Sequence, residues 1–411
     1  MRTTRPNGRL VAGTVIVGAS LSGLKTAEAL RQKGYTGSVT IIGAEEHLPY
    51  DRPPLSKQFL IGSMAPSDVF FRQRKHFIDL GIDIRLSTHA LKIDASMNVL
   101  HTTGGCVEFE NLVVATGARA RNLPGAGALS GVHTMRTLDD AKAILAALAK
   151  RPRVAVVGAG FIGAEVASSA RARGLDVTVV EALPHPLERA VGIEVGEICA
   201  SLHSAGGTEL KCGVGVDALV GDRSVKGIRL VDGTIVEADL VVVGIGVSPN
   251  IEWLSGSGLD LSNGVVCDRF MCVGPANIFA VGDVAAWWNP LFTETMRVEH
   301  WTNAVEQALV VGSNIVNTNS PSEYAGVPYF WSDQYGHRIQ FAGRSQADEV
   351  LLVPGTRETG RLIALYRRDD RLIGALTIDR PKILMQLRLK LMQSISWHEA
   401  NIFVAQTLSS N

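Results

Sequence analysis

Residues 14–23 read Thr14-Val15-Ile16-Val17-Gly18-Ala19-Ser20-Leu21-Ser22-Gly23. A short β-branched run, the mark of a buried strand, breaks at once into a glycine turn. A segment of helical period follows to Gly34, and a second apolar strand, Val39 to Ile42, leads to the acidic pair Glu45 and Glu46. The pattern then returns. Val154 to Val157 runs into Gly158-Ala159-Gly160-Phe161-Ile162-Gly163, a helical segment reaches Gly174, and Val177 to Val180 ends at Glu181. Each copy is strand, glycine turn, helix, strand and acid, the fingerprint of a dinucleotide-binding βαβ unit.

In such a unit the first glycine permits the tight turn and the second lets backbone approach a pyrophosphate. The third lets the helix pack close to the strand. The phosphates then sit on free backbone N–H groups at the helix N-terminus. Ser20 replaces the middle glycine of the first copy. It is small enough for the same approach, and its hydroxyl can bond a phosphate. Two glycine turns that merely pack helices are the bland alternative, and the paired strands and terminal acids speak against it. Two units imply two dinucleotides. A later run, Asn277-Ile278-Phe279-Ala280-Val281-Gly282-Asp283, resembles a flavin-closing motif, in which a buried strand would deliver an aspartate to a sugar hydroxyl; it makes sense only if the chain returns to the first ligand.

Composition narrows the class. Lys+Arg and Asp+Glu are 40 each, so net charge is zero and no global attraction to nucleic acid is expected. With 46% hydrophobic and 19% charged residues, wholesale disorder is excluded. Five cysteines without a CxxC pair argue against a disulfide framework, and ten histidines show no ligand spacing, so no metal is expected. Arg2, Arg5 and Arg9 before the uncharged run Leu10–Leu24 mimic a signal peptide. That run is shorter than the roughly 20 apolar residues a bilayer demands, and it contains the glycine turn. A cytoplasmic protein without a membrane segment is expected.

Several strings occur in order around the two turns: Leu48-Pro49-Tyr50-Asp51-Arg52-Pro53-Pro54-Leu55-Ser56-Lys57, Ala115-Thr116-Gly117-Ala118, Gly244-Ile245-Gly246-Val247-Ser248-Pro249-Asn250, Gly282-Asp283, Glu299-His300-Trp301 and Phe330-Trp331-Ser332-Asp333-Gln334-Tyr335. Together they resemble the FAD-dependent ferredoxin reductases of aromatic-ring dioxygenases and bacterial cytochromes P450, with glutathione reductase a distant cousin. The resemblance runs from about Thr14 to the C-terminal helix. It implies an α/β protein with two Rossmann-like dinucleotide-binding domains, for FAD and NAD, plus a C-terminal α+β domain. The FAD domain would take residues 1–120 and 247–320, the NAD domain 121–246 and the last domain 321–411. The implied cofactors are FAD and NADH. The implied partner is a small iron–sulfur ferredoxin and, through it, a P450 or dioxygenase, with the reductase a monomer or homodimer. A rubredoxin reductase or NADH oxidase on the same scaffold, or a redox-regulated non-catalytic flavoprotein, is the alternative.

The resemblance also implies site residues. For FAD these are Gly18, Ser20, Ser22, Gly23, Glu45, Arg52, Lys57, Ala90, Ala115, Arg136, Asp283 and Trp301; for NAD they are Gly158, Gly160, Phe161, Ile162, Gly163, Glu165, Glu181 and Gly246. Arg52 would contact the FAD phosphates or ribose. Lys57 would lie by the flavin N5, where a cation favours the charge arriving on reduction. Read alone, their string is a proline-stiffened loop with solvated charges. Glu165 alone complements a helix dipole; by resemblance it pairs with Lys57 and meets the nicotinamide amide. Glu181 is placed to bond the adenine ribose and repel a 2′-phosphate, and no arginine follows before Arg189, so NADH is preferred over NADPH. In the first unit, Ala44 occupies the position where relatives carry the acid and Glu45 comes next, leaving the ribose ligand open by one position.

A helix is expected over Arg297–Ile315, with Trp301 either against the flavin or simply in the core. Trp331, on a C-terminal strand edge, would dock the carrier. Arg380, Lys382, Arg388 and Lys390 are the basic candidates beside it, and Leu309 stands where some relatives place an arginine. Cys267 and Cys272 have CxxxxC spacing but fall in a strand-like run, Val265 to Val273, which would point them to opposite faces. No redox disulfide is expected.

Overall fold

Strands buried at every position set the architecture: Val39–Ile42 and Val154–Val157 have no exposed residue, the pattern of parallel strands covered on both faces. The computed structural model describes residues 11–274, 277–354, 356 and 361–409. Arg2, Arg5 and Arg9 of the signal-peptide comparison lie outside them. The chain separates into two compact units. One takes the described residues of Met1–Asp51, Phe70–Arg119 and Pro249–Pro328; the other takes those of Arg52–Val69, Ala120–Ser248 and Tyr329–Asn411.

In the first unit β1 (Val11–Val17), α1 (Leu21–Gln32) and β2 (Val39–Ile42) form the βαβ unit, with β1 and β2 parallel and Val17 opposite Ile42. The seven-stranded sheet runs in the order Ile82–Arg85, β2, β1, Gly105–Val114, Val99–Thr102, Ala90–Asp94, and Ile278–Ala280 joins it on Gly105–Val114. That late strand returns Gly282 and Asp283 to the first turn: a Cβ on Gly282 would lie 2.9 Å from Ser22 Oγ. The helix that covers α1 is Trp301–Val316. It starts four residues later than expected. The Arg297 guanidinium donates to the Asp283 carbonyl (3.0 Å) and to Glu299 (2.7 Å), and His300 is extended at φ −116°.

The expected strand through Cys267 and Cys272 is also corrected. Strand Val265–Cys267 stops at the first cysteine, and the chain turns around Asp268, whose Oδ1 accepts from the Phe270 and Cys272 N–H groups (2.8 and 2.9 Å). The two cysteines therefore do not sit on opposite faces of one strand. Among the described residues no disulfide joins the two, and burial pushes both thiols up.

In the second unit β3 (Val154–Val157), α2 (Phe161–Ala172) and β4 (Val177–Val180) repeat the pattern. The sheet order is Glu209–Lys211, β4, β3, Leu240–Val243, Val132–Thr134, parallel throughout. Helix α3 (Ile193–Ala205) follows. A five-stranded antiparallel sheet has β5 (Tyr329–Gln334) at its edge and is succeeded by helices Pro381–Met392 and Trp397–Ser409. Residues 52–69, which the sequence groups with the first turn, cluster with this unit. Ser169 Oγ donates to the Ser56 carbonyl (2.7 Å), and Arg173 donates to the carbonyls of Leu60 and Ile61 (3.2 and 3.0 Å). Among the described residues no helix is long and apolar enough to cross a membrane.

One polar clasp ties α3 to the end of β5. The Tyr335 hydroxyl lies 2.9 Å from His203 Nδ1 and 3.0 Å from Thr208, and His203 is fully buried, its Nε2 without a hydrogen-bond partner among the described residues. Burial pushes the His203 pKa down to about 4. The unfolded imidazole, at its ordinary value, binds protons the folded one refuses, so stability should fall as pH drops from about 6.5 to about 4. The group accounts for roughly 3 kcal/mol at the bottom of that window. Urea unfolding at pH 7 and pH 4.5 should show the loss, and His203→Gln should flatten the slope. An unchanged slope would assign the effect to other groups.

Candidate functional site

At the first turn Gly18 has φ +127°, and a Cβ there would lie 2.1 Å from the Ala115 carbonyl oxygen; at Gly23 it would lie 1.9 Å from the oxygen of Gly18. Neither position admits a side chain without a shift of the backbone. Ala115 in turn donates its N–H to the Val17 carbonyl (2.8 Å). Ser20 is the N-cap residue of α1, yet no side chain caps that end and no acid stands in its first turn. Its opening N–H groups are therefore arranged for an anion. Asp283 arrives beside this turn through the Gly282–Ser22 approach described above. Glu45 Oε2 accepts from the Tyr50 hydroxyl (2.6 Å), and its carbonyl accepts from Ser87 N–H just before strand Ala90–Asp94, which begins with the half-buried Ala90. The indole of Trp301 is fixed by donation to Asp51 Oδ1 (2.9 Å).

The other three residues assigned to FAD lie in the second unit. Arg52 Nη1 donates to the Arg136 carbonyl (2.7 Å), and Arg136 N–H donates to Asp140, which closes the capping box of helix Leu138–Leu148. Lys57 sits on a π-type turn, Leu55–Phe59, a distortion often found at functional sites.

At the second turn a Cβ on Gly158 (φ +99°) would lie 2.4 Å from the Gly244 oxygen, and one on Gly163 would lie 2.0 Å from the Gly158 oxygen. Gly160 differs: its nearest neighbour would be 4.0 Å away. Packing thus demands the outer glycines, whereas the middle one keeps a backbone cradle open. The α2 N-terminus, with Gly160 as N-cap, also has no side-chain cap. Glu181 closes over the turn, Oε2 accepting from Ala159 N–H (2.7 Å) and Oε1 from Leu183 N–H (2.9 Å). Ile162 is 42% exposed, and Gly246 (φ +96°) accepts from Arg121 N–H on the exit of the sheet.

Glu165, one turn into α2, is 3% exposed. Its Oε1 lies 3.0 Å from Lys57 Nζ and accepts from Ser332 Oγ (2.7 Å), while Oε2 accepts from Ser56 Oγ (2.5 Å). Gln334 Nε2 donates to Ser332 Oγ (2.9 Å). The sequence reading did not single out Ser56, Ser332 or Gln334. The two-residue alternation of β5, which buries Phe330, Ser332 and Gln334 on one face, is the signal that was there to use. On the other face Trp331 stacks with Tyr329 at 6.0 Å, and the Arg388 guanidinium lies 5.6 Å over the Tyr329 ring.

Two glycine turns of the dinucleotide-binding kind, the second closed by Glu181, together with a buried lysine–carboxylate pair define a pyridine-nucleotide oxidoreductase. A model of the pyridine nucleotide-disulphide oxidoreductases matches residues 13–308, and one of the reductase C-terminal domain matches 329–407. The chain belongs to the pyridine nucleotide-disulphide oxidoreductase family, whose members related to this chain use FAD and NAD(H). It is similar to the rhodocoxin reductase of Rhodococcus erythropolis, 36% identical over 91% of this chain and 88% of that protein. With the rubredoxin-NAD(+) reductase of Ectopseudomonas oleovorans it shares 37% identity over 90% and 96% of the two chains. Its structure matches that of the covalent putidaredoxin reductase–putidaredoxin complex with a TM-score of 0.89 at 30% identity, covering 93% of this chain and 94% of that one.

The two kinds of glycine should separate experimentally. Gly163→Ala should cost about 1–3 kcal/mol of stability in urea unfolding, the usual toll of overpacking. Gly160→Ala should unfold like the parent but bind NADH about tenfold more weakly in titrations, because its methyl occupies the cradle. Equal behaviour of the two variants would reject this division. Separately, NADH should exceed NADPH in kcat/KM, and Glu181→Ala should narrow the gap; a parent enzyme that favours NADPH would refute the part given to Glu181.

Proposed function

We propose that this chain is an NADH-dependent flavoprotein reductase that passes electrons from NADH through FAD to a small iron–sulfur ferredoxin serving a cytochrome P450 or ring-hydroxylating oxygenase. The observation that carries this reading is the buried Lys57–Glu165 pair beside the uncapped opening of α2. Gly18, Ser20, Ser22, Gly23 and Asp283, with Glu45 and Arg52, would hold the phosphates and ribose of FAD. Gly158, Gly160 and Gly163 would seat the NADH pyrophosphate, and Glu181 its ribose. FAD supplies a centre that accepts two electrons and releases them singly, which a nicotinamide cannot do. Lys57 brings a fixed positive charge, and Glu165 keeps it oriented without water. Removing either partner strands a buried charge, at about 3–5 kcal/mol.

The carrier would dock on the Tyr329–Trp331 face of β5. Arg388 and Lys390 lie over the rings of Tyr329 and Phe403, so the basic groups spread across apolar surface instead of projecting from it. Docking on such a face leans on apolar contact, with a shallow salt dependence. We assign residues 1–120 and 247–320 to FAD, 121–246 to NAD and 321–411 to the C-terminal domain. The cytoplasm, where NADH is supplied, is the compartment we propose. A rubredoxin as the acceptor is the second reading, favoured by the similarity to the rubredoxin-NAD(+) reductase.

Two assays test the proposal. With NADH and a 2Fe–2S ferredoxin, the FAD-loaded protein should reduce cytochrome c, and Trp331→Ala should slow this about tenfold. Ferricyanide reduction, which requires no docking, should change less than about twofold in the same variant. Equal losses would move Trp331 to the nucleotide site. Failure of the parent protein to reduce ferricyanide with NADH would overturn the function, and activity with rubredoxin but not ferredoxin would select the second reading.

A further inference from the structure

We infer that Ser332 is a positioning residue for NADH oxidation: its hydroxyl sets the orientation of the Glu165 carboxylate and, through it, of Lys57. The inference rests on the proposed role of the Lys57–Glu165 pair. It starts from a seam within the second unit. Phe330, Ser332 and Tyr335 meet Phe161, Glu165 and Ser168 in turn: the two phenyl rings are 4.4 Å apart, Ser332 donates to Glu165, and Tyr335 N–H donates to Ser168 Oγ (2.8 Å). Positions 161, 165 and 168 lie on one face of a helix, so β5 runs along α2 and has a defined register there.

That register places one donor on each side of the carboxylate. Ser56 holds Oε2 and Ser332 holds Oε1, leaving Lys57 a single defined oxygen. The last torsion of a glutamate is broad and two-fold, so nothing in the side chain itself would hold this plane. The hydroxyl proton of Ser332 is directed as well. Gln334 Nε2 donates to the same oxygen, so the Ser332 O–H is left to point at Glu165. Ser332 is fully buried, Gln334 is 1% exposed, and Gln334 Oε1 has no hydrogen-bond partner among the described residues. An apolar residue of similar shape would avoid that unpaired acceptor. The other end of this amide orients the Ser332 hydroxyl.

The test follows flavin reduction by NADH in anaerobic stopped-flow, using FAD-loaded protein and a range of NADH concentrations. Ser332→Ala should lower the limiting rate about tenfold, the loss of one hydrogen bond to a charged group, while the NADH Kd stays within about twofold. Ser332→Thr, which keeps the hydroxyl and suits a strand, should restore most of the rate. Ser168→Ala cuts the neighbouring bond of the same seam without touching Glu165 and should match the parent. A parent-like rate in Ser332→Ala, no recovery in Ser332→Thr, or an equal loss in Ser168→Ala would overturn the inference. Glu165→Gln distinguishes the two levels. If it slows reduction while Ser332→Ala does not, only the role of Ser332 falls; if it leaves the rate unchanged, the proposed role of the ion pair falls with it.

Discussion

At both turns the carbonyl oxygen of the first glycine occupies the place where the third would carry a Cβ, at 1.9 Å for Gly23 and 2.0 Å for Gly163. A side chain fits such an approach only if the backbone shifts. Because it is tolerated, each helix lies directly against its strand and its N-terminus stands at the strand end. An anion is then met by backbone donors and the positive end of the helix dipole instead of by a flexible cation. The same closeness propagates outward: Trp301–Val316 rests on α1 with Gly312 against Ala29, where a Cβ would come within 2.6 Å of the alanine methyl. The anion seats thus follow from steric permission at four glycines.

The second dependence is electrostatic. Glu165 follows the second turn on a helix that must pack closely, so its carboxylate is taken out of water by the same geometry. A buried carboxylate is costly unless charge and hydrogen bonds answer it. Here three donors do so, from the π-type turn and from β5. The result is a lysine charge held in place by a network that excludes solvent, which is what electrostatic preorganisation requires. The opposite face of β5 carries Tyr329 and Trp331, so one edge strand supplies both a buried polar face and an aromatic outer one, as a period of two residues allows.

Much of this was legible in the sequence. The β-branched runs, the glycine spacing and the terminal acids are local signals, each written within a few residues, and they determined the two βαβ units and the glycines of the candidate site. Tertiary structure decided the rest. It started the helix at Trp301, because Arg297 reaches back to the Asp283 carbonyl; it put Cys267 and Cys272 around an Asp268 turn; and it grouped 52–69 with the second unit through Ser169 and Arg173. Above all it chose the partners of Glu165. Ser56 and Ser332 are separated from it by 109 and 167 residues, and no periodicity or turn rule links positions so distant. The approach of the third glycine to the first acts within five residues and can be read along the sequence, whereas the donors that answer a buried charge are whichever groups packing brings within about 3 Å, and only the folded chain determines them.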